Sequence, residues 1–283
     1  MPNKAFLEIT NVCNLACSFC HGTRRPARYM TAEEFTCAAE KLRAFADYLY
    51  FHVMGEPLLH PLIGDFLAVA EKLGFRVILT TNGTLLRQKR EILLSAGALH
   101  KVSISLHSYE VNAVRTSLED YLDDCFSFAS AAADAGIISV MRLWNLGGED
   151  KLNADILGRM HTFFDGENGA DWKKIYSGYK ISEKVFLEWG DRFDWPDEAA
   201  AYVGDSHSCY GLRDQIGVLS DGTVVPCCLD ADGAIALGNI FTDPLEKILS
   251  SPRAVSLRNS FEIKRITEPL CQRCGYAHGK QYK

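Results

Sequence analysis

The stretch Thr10-Asn11-Val12-Cys13-Asn14-Leu15-Ala16-Cys17-Ser18-Phe19-Cys20 places three thiols within eight residues. It follows a short β-rich run, so the sequence puts the three cysteines on the loop after a first strand. Three thiolates can hold three irons of a [4Fe–4S] cluster and leave the fourth iron open, whereas a fully ligated cluster uses four. The spacing therefore predicts a cluster with one iron free to bind a small molecule. A structural Cys₃His zinc site completed by His21 or another residue is the alternative.

Composition narrows the class of protein. The chain has 283 residues, 47% of them hydrophobic, which is enough for one large domain or one and a half. Its formal net charge of -6 gives no field that attracts polyanions, so we expect neither a nucleic acid nor an anionic membrane as a partner. The sequence contains no apolar run of bilayer length and no signal peptide, which predicts a cytoplasmic location. In that compartment, the 10 cysteines are more typical of metal ligands or catalytic groups than of disulfides.

Short β-rich runs alternate with helical stretches through the first two thirds of the chain. Predicted helices start at the capping box of Thr31 and Glu34 and cover 62–73 and 91–95. Strand, helix and strand in regular order predict parallel strands with right-handed crossovers. The fold class is thus α/β, a partial (β/α)₆ TIM-like barrel with its chemistry at the carboxyl ends of the strands. The six predicted strands are 6–10, 48–54, 76–81, 102–106, 138–143 and 185–189.

The pattern changes from about Asp191, which predicts two domains, 1–190 and 191–283. In the second, 216–219 and 223–225 flank a Ser-Asp-Gly turn and are typical of a β-hairpin. A helix over 243–258 is expected to follow.

A second group of cysteines falls in this C-terminal module: Cys209, Cys227, Cys271 and Cys274. Four thiols can close a [4Fe–4S] cluster completely, and a Cys₄ zinc ribbon is the alternative. Cys228 is adjacent to Cys227, so the residues leave open which of the two is a ligand. Cys37 and Cys125 lie on predicted helices and are expected to be buried small hydrophobic residues.

The Cys-x₃-Cys-x₂-Cys motif resembles that of the radical S-adenosylmethionine (SAM) superfamily. In that family SAM chelates the open iron and is cleaved to methionine and a 5′-deoxyadenosyl radical. Met54-Gly55-Glu56-Pro57, Thr80-Thr81-Asn82-Gly83 and Ser103-Ile104-Ser105-Leu106-His107 also resemble family motifs, although Met54 replaces the usual first glycine. The resemblance implies that Glu56 binds the SAM ammonium group. The other SAM-contacting residues that it implies are Phe19, Gly55, Asn82, Ser105 and Arg115.

The segments 217–227, 238–240 and 271–274 resemble the SPASM/twitch extension of radical SAM proteins. The number of cysteines suits the shorter, single-cluster twitch form, so the chain is similar in layout to 2-deoxy-scyllo-inosamine dehydrogenase. The resemblance implies two [4Fe–4S] clusters and SAM in an oxidoreductase or maturase. It also implies Arg192, just beyond the sixth strand, as the group that takes a proton from the substrate, and a surface or substrate-anchoring arginine is the alternative.

The reaction expected from this resemblance is hydrogen-atom abstraction from a substrate C–H bond and a two-electron oxidation, with the auxiliary cluster as electron acceptor. The substrate would be a small polyol or sugar-like molecule or a peptide, and an external one-electron reductant such as flavodoxin or ferredoxin would be a partner. One alternative is a peptide or protein maturase that forms a cross-link or an oxidised side chain. An alternative of another class is a zinc-stabilised scaffold that binds without catalysis.

Overall fold

The computed structural model describes residues 4–165 and 172–276. Its α-helices are α1 Ala32–Arg43, α2 Ile63–Lys72, α3 Leu86–Leu94, α4 Leu118–Asp134, α5 Asn153–Asp165, α6 Leu245–Leu249 and α7 Pro252–Glu262. Its strands are β1 Lys4–Leu7, β2 Tyr48–Tyr50, β3 Arg76–Thr81, β4 Leu99–Ser105, β5 Ile138–Leu146, β6 Lys173–Ile175, β7 Gly178–Lys180, β8 Val185–Asp191, β9 Gln215–Val218, β10 Thr223–Val225 and β11 Gly238–Asn239.

All strands belong to one open, 11-stranded sheet in the order β11-β10-β9-β1-β2-β3-β4-β5-β8-β7-β6. The six predicted strands are β1, β2, β3, β4, β5 and β8, and each pairs with the next in parallel. This arrangement confirms the partial barrel predicted from the sequence. The carboxyl ends of the six strands therefore meet at one edge, where the predicted motifs lie.

The two faces of the sheet differ in chemistry, as the alternation of side chains along a strand requires. One face packs on the helices through buried residues such as Leu49, Leu79 and Ile104. Phe35 of α1 and Phe66 of α2 stack in this core with their centroids 4.1 Å apart. The opposite, inner face carries half-buried polar residues, including Arg142. The N-terminal capping box of α1 is formed as predicted, with Thr31 and Glu34 exchanging hydrogen bonds.

The C-terminal hairpin continues the same sheet. β9 pairs in parallel with β1, and β10 returns antiparallel to β9, as predicted for the Ser-Asp-Gly turn. Gly222 allows this turn because its φ is +86° and a Cβ there would lie 2.5 Å from the Phe241 ring. Of the second cysteine group, Cys209 precedes β9 and Cys227 follows β10, whereas Cys271 and Cys274 come after α7.

Two elements differ from the sequence-based prediction. The antiparallel β6–β7 hairpin was not predicted; its strands have three residues each and β6 is largely exposed, so they lack a buried strand pattern. The single helix predicted over 243–258 is wrong, because the chain forms α6 and α7 instead. Pro252 cannot continue a preceding helix, and Ser251 caps the new one by accepting a hydrogen bond from the Ala254 amide. Within the described residues, no helix is long and apolar enough to cross a membrane.

Candidate functional site

The first cysteine loop leaves β1 and lies at the carboxyl edge of the parallel strands. Cys13 and Cys20 are exposed and Cys17 is half-buried. Each thiol accepts an N–H hydrogen bond: Cys13 from the Leu15 amide at 3.5 Å, Cys20 from the Gly22 amide at 3.5 Å and Cys17 from the Asn112 side chain at 3.1 Å. N–H donors to sulfur stabilise thiolates and iron–sulfur clusters.

Asn112 holds this loop from the segment after β4. Its Oδ1 accepts a hydrogen bond from the Ala16 amide at 2.8 Å, while its Nδ2 donates to Cys17 and to the Ser108 carbonyl. One amide thus fixes both the backbone of the cysteine loop and one of its thiols. Sequence reasoning missed Asn112, because no local pattern marks a residue that acts on a loop 95 positions away.

Gly55 lets the loop after β2 cross the cysteine loop at close range. Its φ is +79°, and a Cβ would lie 2.5 Å from the Thr10 carbonyl oxygen and 2.9 Å from that of Val12. The next amide, that of Glu56, donates to the Val12 carbonyl at 2.8 Å. Only glycine fits here without displacing one of the two loops.

The Glu56 side chain is 2% exposed and joins two strand ends. Its Oε1 accepts from the Leu58 amide at 3.0 Å and its Oε2 from the Asn82 amide at 2.7 Å. Burial raises the pKa of this carboxyl to about 7, although both hydrogen bonds oppose the shift. Glu56 therefore positions the loop after β3 as well as lying at the predicted ammonium site.

Asn82 reaches back to the cysteine loop. Its Nδ2 lies 2.8 Å from the Asn14 Oδ1 and 3.9 Å from the Cys13 sulfur. The next residue, Gly83, has a φ of +84°. A Cβ at this position would lie 2.8 Å from the Cys125 sulfur, so a larger residue does not fit there. Cys125 is fully buried there as predicted, whereas Cys37 is half-buried.

The remaining residues predicted to contact SAM lie on different sides of the loop. The Phe19 ring packs against His107, with centroids 4.8 Å apart. Ser105 ends β4 and is half-buried on the inner face. Arg115 is exposed in the loop before α4, and its side chain forms no hydrogen bond or ion pair with other residues in 4–165 or 172–276.

Arg192 follows β8 directly and is connected to the first cysteine loop. Its guanidinium lies 3.6 Å from Glu149, whose other oxygen accepts a hydrogen bond from Ser18 at 3.2 Å. Ser18 lies between two of the cysteines. The contacts from Ser18 through Glu149 to Arg192 therefore place Arg192 at the mouth of the barrel. Glu149 was not singled out from the sequence, where it stands in an unremarkable Gly-Gly-Glu-Asp loop.

The second cysteine group is more enclosed. Cys274 is buried and the other members are half-buried. Burial raises the pKa of the Cys227 and Cys271 thiols well above their usual value, and neighbouring thiols, including Cys209, raise both further. Cys228 belongs to the same neighbourhood, since burial and then the nearby Cys274 raise its pKa to about 12. The five thiols, the four predicted ligands and Cys228, are thus near enough to one another for their charges to interact.

Comparison with known proteins assigns the family. The sequence profile of the Radical SAM superfamily matches residues 7–157, and that of SPASM, an iron–sulfur cluster-binding domain, matches residues 209–275. The chain belongs to the radical SAM superfamily. Both cysteine groups fall in these radical SAM and SPASM segments, which imply iron–sulfur clusters and SAM as cofactors.

Several relatives of this radical SAM protein are curated. A probable GTP 3′,8-cyclase of Methanocella arvoryzae is 25% identical over 296 residues, covering 94% of this chain and 93% of the relative. The sporulation killing factor maturation protein SkfB of Bacillus subtilis is 24% identical over 290 residues, covering 91% and 67%. A probable GTP 3′,8-cyclase of Pyrobaculum aerophilum is 36% identical over 103 residues, but the match covers only 35% of this chain and 33% of that protein.

Solved structures share the fold. BtrN in complex with AdoMet and 2-DOIA superimposes with a TM-score of 0.61 at 18% identity, covering 97% of this chain and 93% of BtrN. Streptococcus suis SuiB bound to its precursor peptide SuiA gives a TM-score of 0.60 at 16% identity, covering 97% and 71%. At these identities the likeness concerns the fold alone.

The donor set of this radical SAM protein fits the implied clusters. The three thiols of the first loop all accept N–H groups and two are exposed, which suits a cluster that a small molecule reaches. Burial raises the pKa of Cys17 to about 11, so a metal must displace the thiol protons when it binds. Among residues 4–165 and 172–276, no three His, Cys, Asp or Glu side chains converge closely enough for a single metal ion.

A buried acid that the sequence analysis missed ties the two cysteine regions together. The Glu8 carboxylate is fully buried and pairs with Arg25 of the first cysteine loop at 2.7 Å. It also accepts hydrogen bonds from the Met54 amide at 3.1 Å and the Ser220 amide at 3.0 Å. These bonds compensate the buried charge and join the cysteine loop, the loop after β2 and the C-terminal hairpin. In the sequence, the only sign of this role is that Glu8 is a single acidic residue within the apolar run from Phe6 to Ile9.

Proposed function

We propose that this protein reductively cleaves SAM and removes a hydrogen atom from a substrate C–H bond as the first half of a two-electron oxidation. The observation that carries the proposal is the set of three thiols, two of them exposed and each accepting an N–H hydrogen bond, at the carboxyl edge of the parallel strands. Family membership supports the same chemistry. An external one-electron reductant, such as flavodoxin or ferredoxin, would supply the electron for each cleavage.

Two [4Fe–4S] clusters and SAM are the cofactors in this proposal. Cys13, Cys17 and Cys20 would hold the first cluster, and Cys209, Cys227, Cys271 and Cys274 would hold the second. When bound, these groups supply the 5′-deoxyadenosyl radical and an acceptor for the second electron of the substrate. Residues 1–190 and 191–283 would form the corresponding two units. The zinc-scaffold alternative receives no support from the iron–sulfur profiles that match the chain.

The chain's own residues would position SAM and handle the proton. Glu56 would accept a hydrogen bond from the SAM ammonium group, with Gly55, Asn82, Ser105, Arg115 and Phe19 around the rest of the molecule. A guanidinium is protonated at neutral pH, so Arg192 needs a basic partner to take a proton from the substrate. Glu149, 3.6 Å away, supplies a carboxylate at the same place.

Two substrate classes follow from the relatives. BtrN supports a small polyol or sugar-like substrate, since it is similar over 97% of this chain and its structure contains 2-DOIA. SkfB, a maturation protein, and SuiB, which binds a precursor peptide, support a peptide maturase as the second function. The GTP 3′,8-cyclase relatives leave cyclisation as a further outcome of the hydrogen abstraction.

Anaerobically reconstituted protein tests this proposal without a known substrate. We expect about eight irons per chain with matching sulfide, and slow formation of 5′-deoxyadenosine when dithionite and SAM are added. The measurements are iron and sulfide analysis and chromatography of the cleavage product. Colourless protein that holds stoichiometric zinc and leaves SAM intact would instead establish the scaffold.

A further inference from the structure

The inner face of the barrel carries an excess of positive charge. Glu188 on β8 is the carboxylate that both cations share: the Lys101 Nζ lies 4.0 Å from it and the Arg142 Nε 3.4 Å. Two cations therefore meet one acid, in a protein whose formal net charge is -6. The inner-face Glu8 does not offset this excess, because it is paired with Arg25.

Polar atoms without partners gather on this same face. Four buried side-chain atoms in the described residues make no hydrogen bond: His52 Nδ1, Ser103 Oγ, Ser139 Oγ and Arg142 Nε, of which only Arg142 Nε has an ion-pair partner, the Glu188 carboxylate at 3.4 Å. Ser139 and Arg142 lie three residues apart on β5, so their side chains point to opposite faces of the sheet. Ser139 is therefore on the side that packs against the helices. The other three belong to the inner face. Buried polar groups are nearly always satisfied, so the two that lack any partner, His52 Nδ1 and Ser103 Oγ, require an explanation.

Strand register places these three atoms at one level. Ser103 is paired with Thr80 on the neighbouring strand, and the amide of Phe51, just before His52, bonds to the carbonyl of Ile78. Arg142 is paired with Ser105, two residues beyond Ser103, but its guanidinium lies within 3.5 Å of the Thr80 hydroxyl. Its charge also lowers the pKa of His52, an effect second to that of burial.

The guanidinium is pre-positioned rather than free to move. It lies over the Trp144 ring at 4.3 Å from the centroid, and the indole in turn covers Gly190 of β8, where a Cβ would lie 2.8 Å from it. The side chain of Arg142 is 16% exposed, and Tyr50, His52 and Trp144 around it are half-buried. The guanidinium is therefore reachable from the open side of the barrel, whereas the Ser103 side chain is fully buried.

We propose that His52, Ser103 and Arg142 form a subsite on the inner face that binds an anionic group, a carboxylate or a phosphate, of the substrate. This inference rests on the proposed function, because it assigns the subsite to the substrate of the radical reaction. The guanidinium supplies charge and N–H donors, the serine a hydroxyl donor, and the neutral imidazole a further N–H. A neutral ligand would leave the excess cation uncompensated.

Calorimetric titration of the reconstituted protein with small anions tests the subsite. The titrations are run with and without saturating SAM in a buffer free of phosphate and carboxylate, with sodium phosphate, sodium acetate and neutral acetamide as separate probes. We expect about one phosphate or acetate bound per chain and no binding of acetamide. Binding of phosphate alone assigns a phosphoryl group to the substrate, and binding of acetate alone assigns a carboxylate.

Three variants locate the binding. Arg142→Gln should weaken anion binding at least about tenfold, as expected for loss of a charge-assisted donor. Ser103→Ala should weaken it about threefold while leaving thermal stability unchanged or higher, because the hydroxyl removed has no partner in the described protein. A merely structural serine would not separate stability from binding in this way. Arg87→Gln, a matched loss of an exposed arginine on α3, should bind as wild type does.

Several results would overturn the subsite: no saturable anion binding in the millimolar range, equal binding by wild type and both inner-face variants, or binding that SAM abolishes. The last would assign the site to the SAM carboxylate. Cleavage of SAM by the same wild-type preparation separates the two proposals. Cleavage without anion binding refutes the subsite alone, whereas anion binding without cleavage refutes the proposed function.

Discussion

The two cysteine regions differ in how they meet solvent. Cys13 and Cys20 of the first loop are exposed at the edge of the sheet, whereas Cys274 of the second group is buried and its neighbours are half-buried. The first arrangement would give a small molecule access to a metal held there. The second shields its thiols, as suits a centre that exchanges electrons without binding a ligand. Exposure thus distinguishes two roles that the residue type alone does not.

The regions also differ in what holds them. Loops from three other strand ends fix the first group, through Gly55, Asn82 and Asn112. The second is held largely by its own module: the Gly211 amide donates to Cys209 at 3.3 Å, and the Cys274 amide donates to the Cys271 carbonyl at 3.2 Å. The first site is therefore the more sensitive to changes far away in the sequence.

The largest expected effect comes from removing one group or the other. Replacing Cys13, Cys17 and Cys20 by Ala should lower the iron content from about eight to about four per chain and abolish 5′-deoxyadenosine formation. Replacing Cys271 and Cys274 by Ala should also leave about four irons but preserve cleavage of SAM. Iron analysis and product chromatography measure both.

Circular dichroism of each variant controls for misfolding. Once a substrate is known, the Cys271/Cys274 variant should return the substrate radical to substrate, which would then carry solvent hydrogen in deuterated water. Product formation at the wild-type rate in this variant would make the second group structural and the reaction independent of an internal electron acceptor.

The parts of this comparison that the sequence predicted are those set by residue type and periodicity. Apolar runs revealed the six parallel strands, because strands covered by helices must be apolar on that side. Thiol spacing revealed both cysteine groups. The short β6–β7 hairpin left no such pattern, and the break between α6 and α7 was signalled by Pro252 but not recognised.

The supporting contacts of the site could not be predicted in the same way. Asn112, Glu149 and Glu8 act on loops that are far from them along the chain but close at the sheet edge. Their roles depend on register and loop path, which a single sequence does not specify. Gly55 was recognised through a motif, but its reason, a backbone crossing, required the structure.

A smaller effect is expected when the loop crossing is disturbed. Gly55→Ala places a Cβ 2.5 Å from the Thr10 carbonyl oxygen at a φ of +79°, so one of the loops must move. We expect a loss of about 2 kcal/mol or more in stability and at least about tenfold weaker SAM binding. Calorimetry of SAM binding and thermal unfolding measure these changes.

The matched control is Gly158→Ala on α5, where a Cβ meets nothing within 4 Å. That change should leave SAM binding intact and stabilise the protein by up to about 1 kcal/mol, because alanine favours the helix. Equal effects of the two substitutions would show that the crossing at Gly55 is not tight. The second cluster should keep its iron in both variants, since neither glycine contacts its cysteines.

The smallest expected effect is a change of reduction potential at one cluster only. Asn112 donates to the Cys17 sulfur at 3.1 Å, and such a donor stabilises the reduced cluster, which carries the greater negative charge. Asn112→Ala should therefore make the midpoint potential of the first cluster more negative and leave that of the second unchanged. Asn112→Asp keeps the acceptor for the Ala16 amide but places a negative charge beside the sulfur, so its shift should be larger.

Redox titration followed by electron paramagnetic resonance resolves the two clusters. Asn259→Ala, an exposed position on α7, controls for the substitution itself. A shift of equal size in both clusters would mean that Asn112 acts through the fold as a whole and not through its hydrogen bond to Cys17.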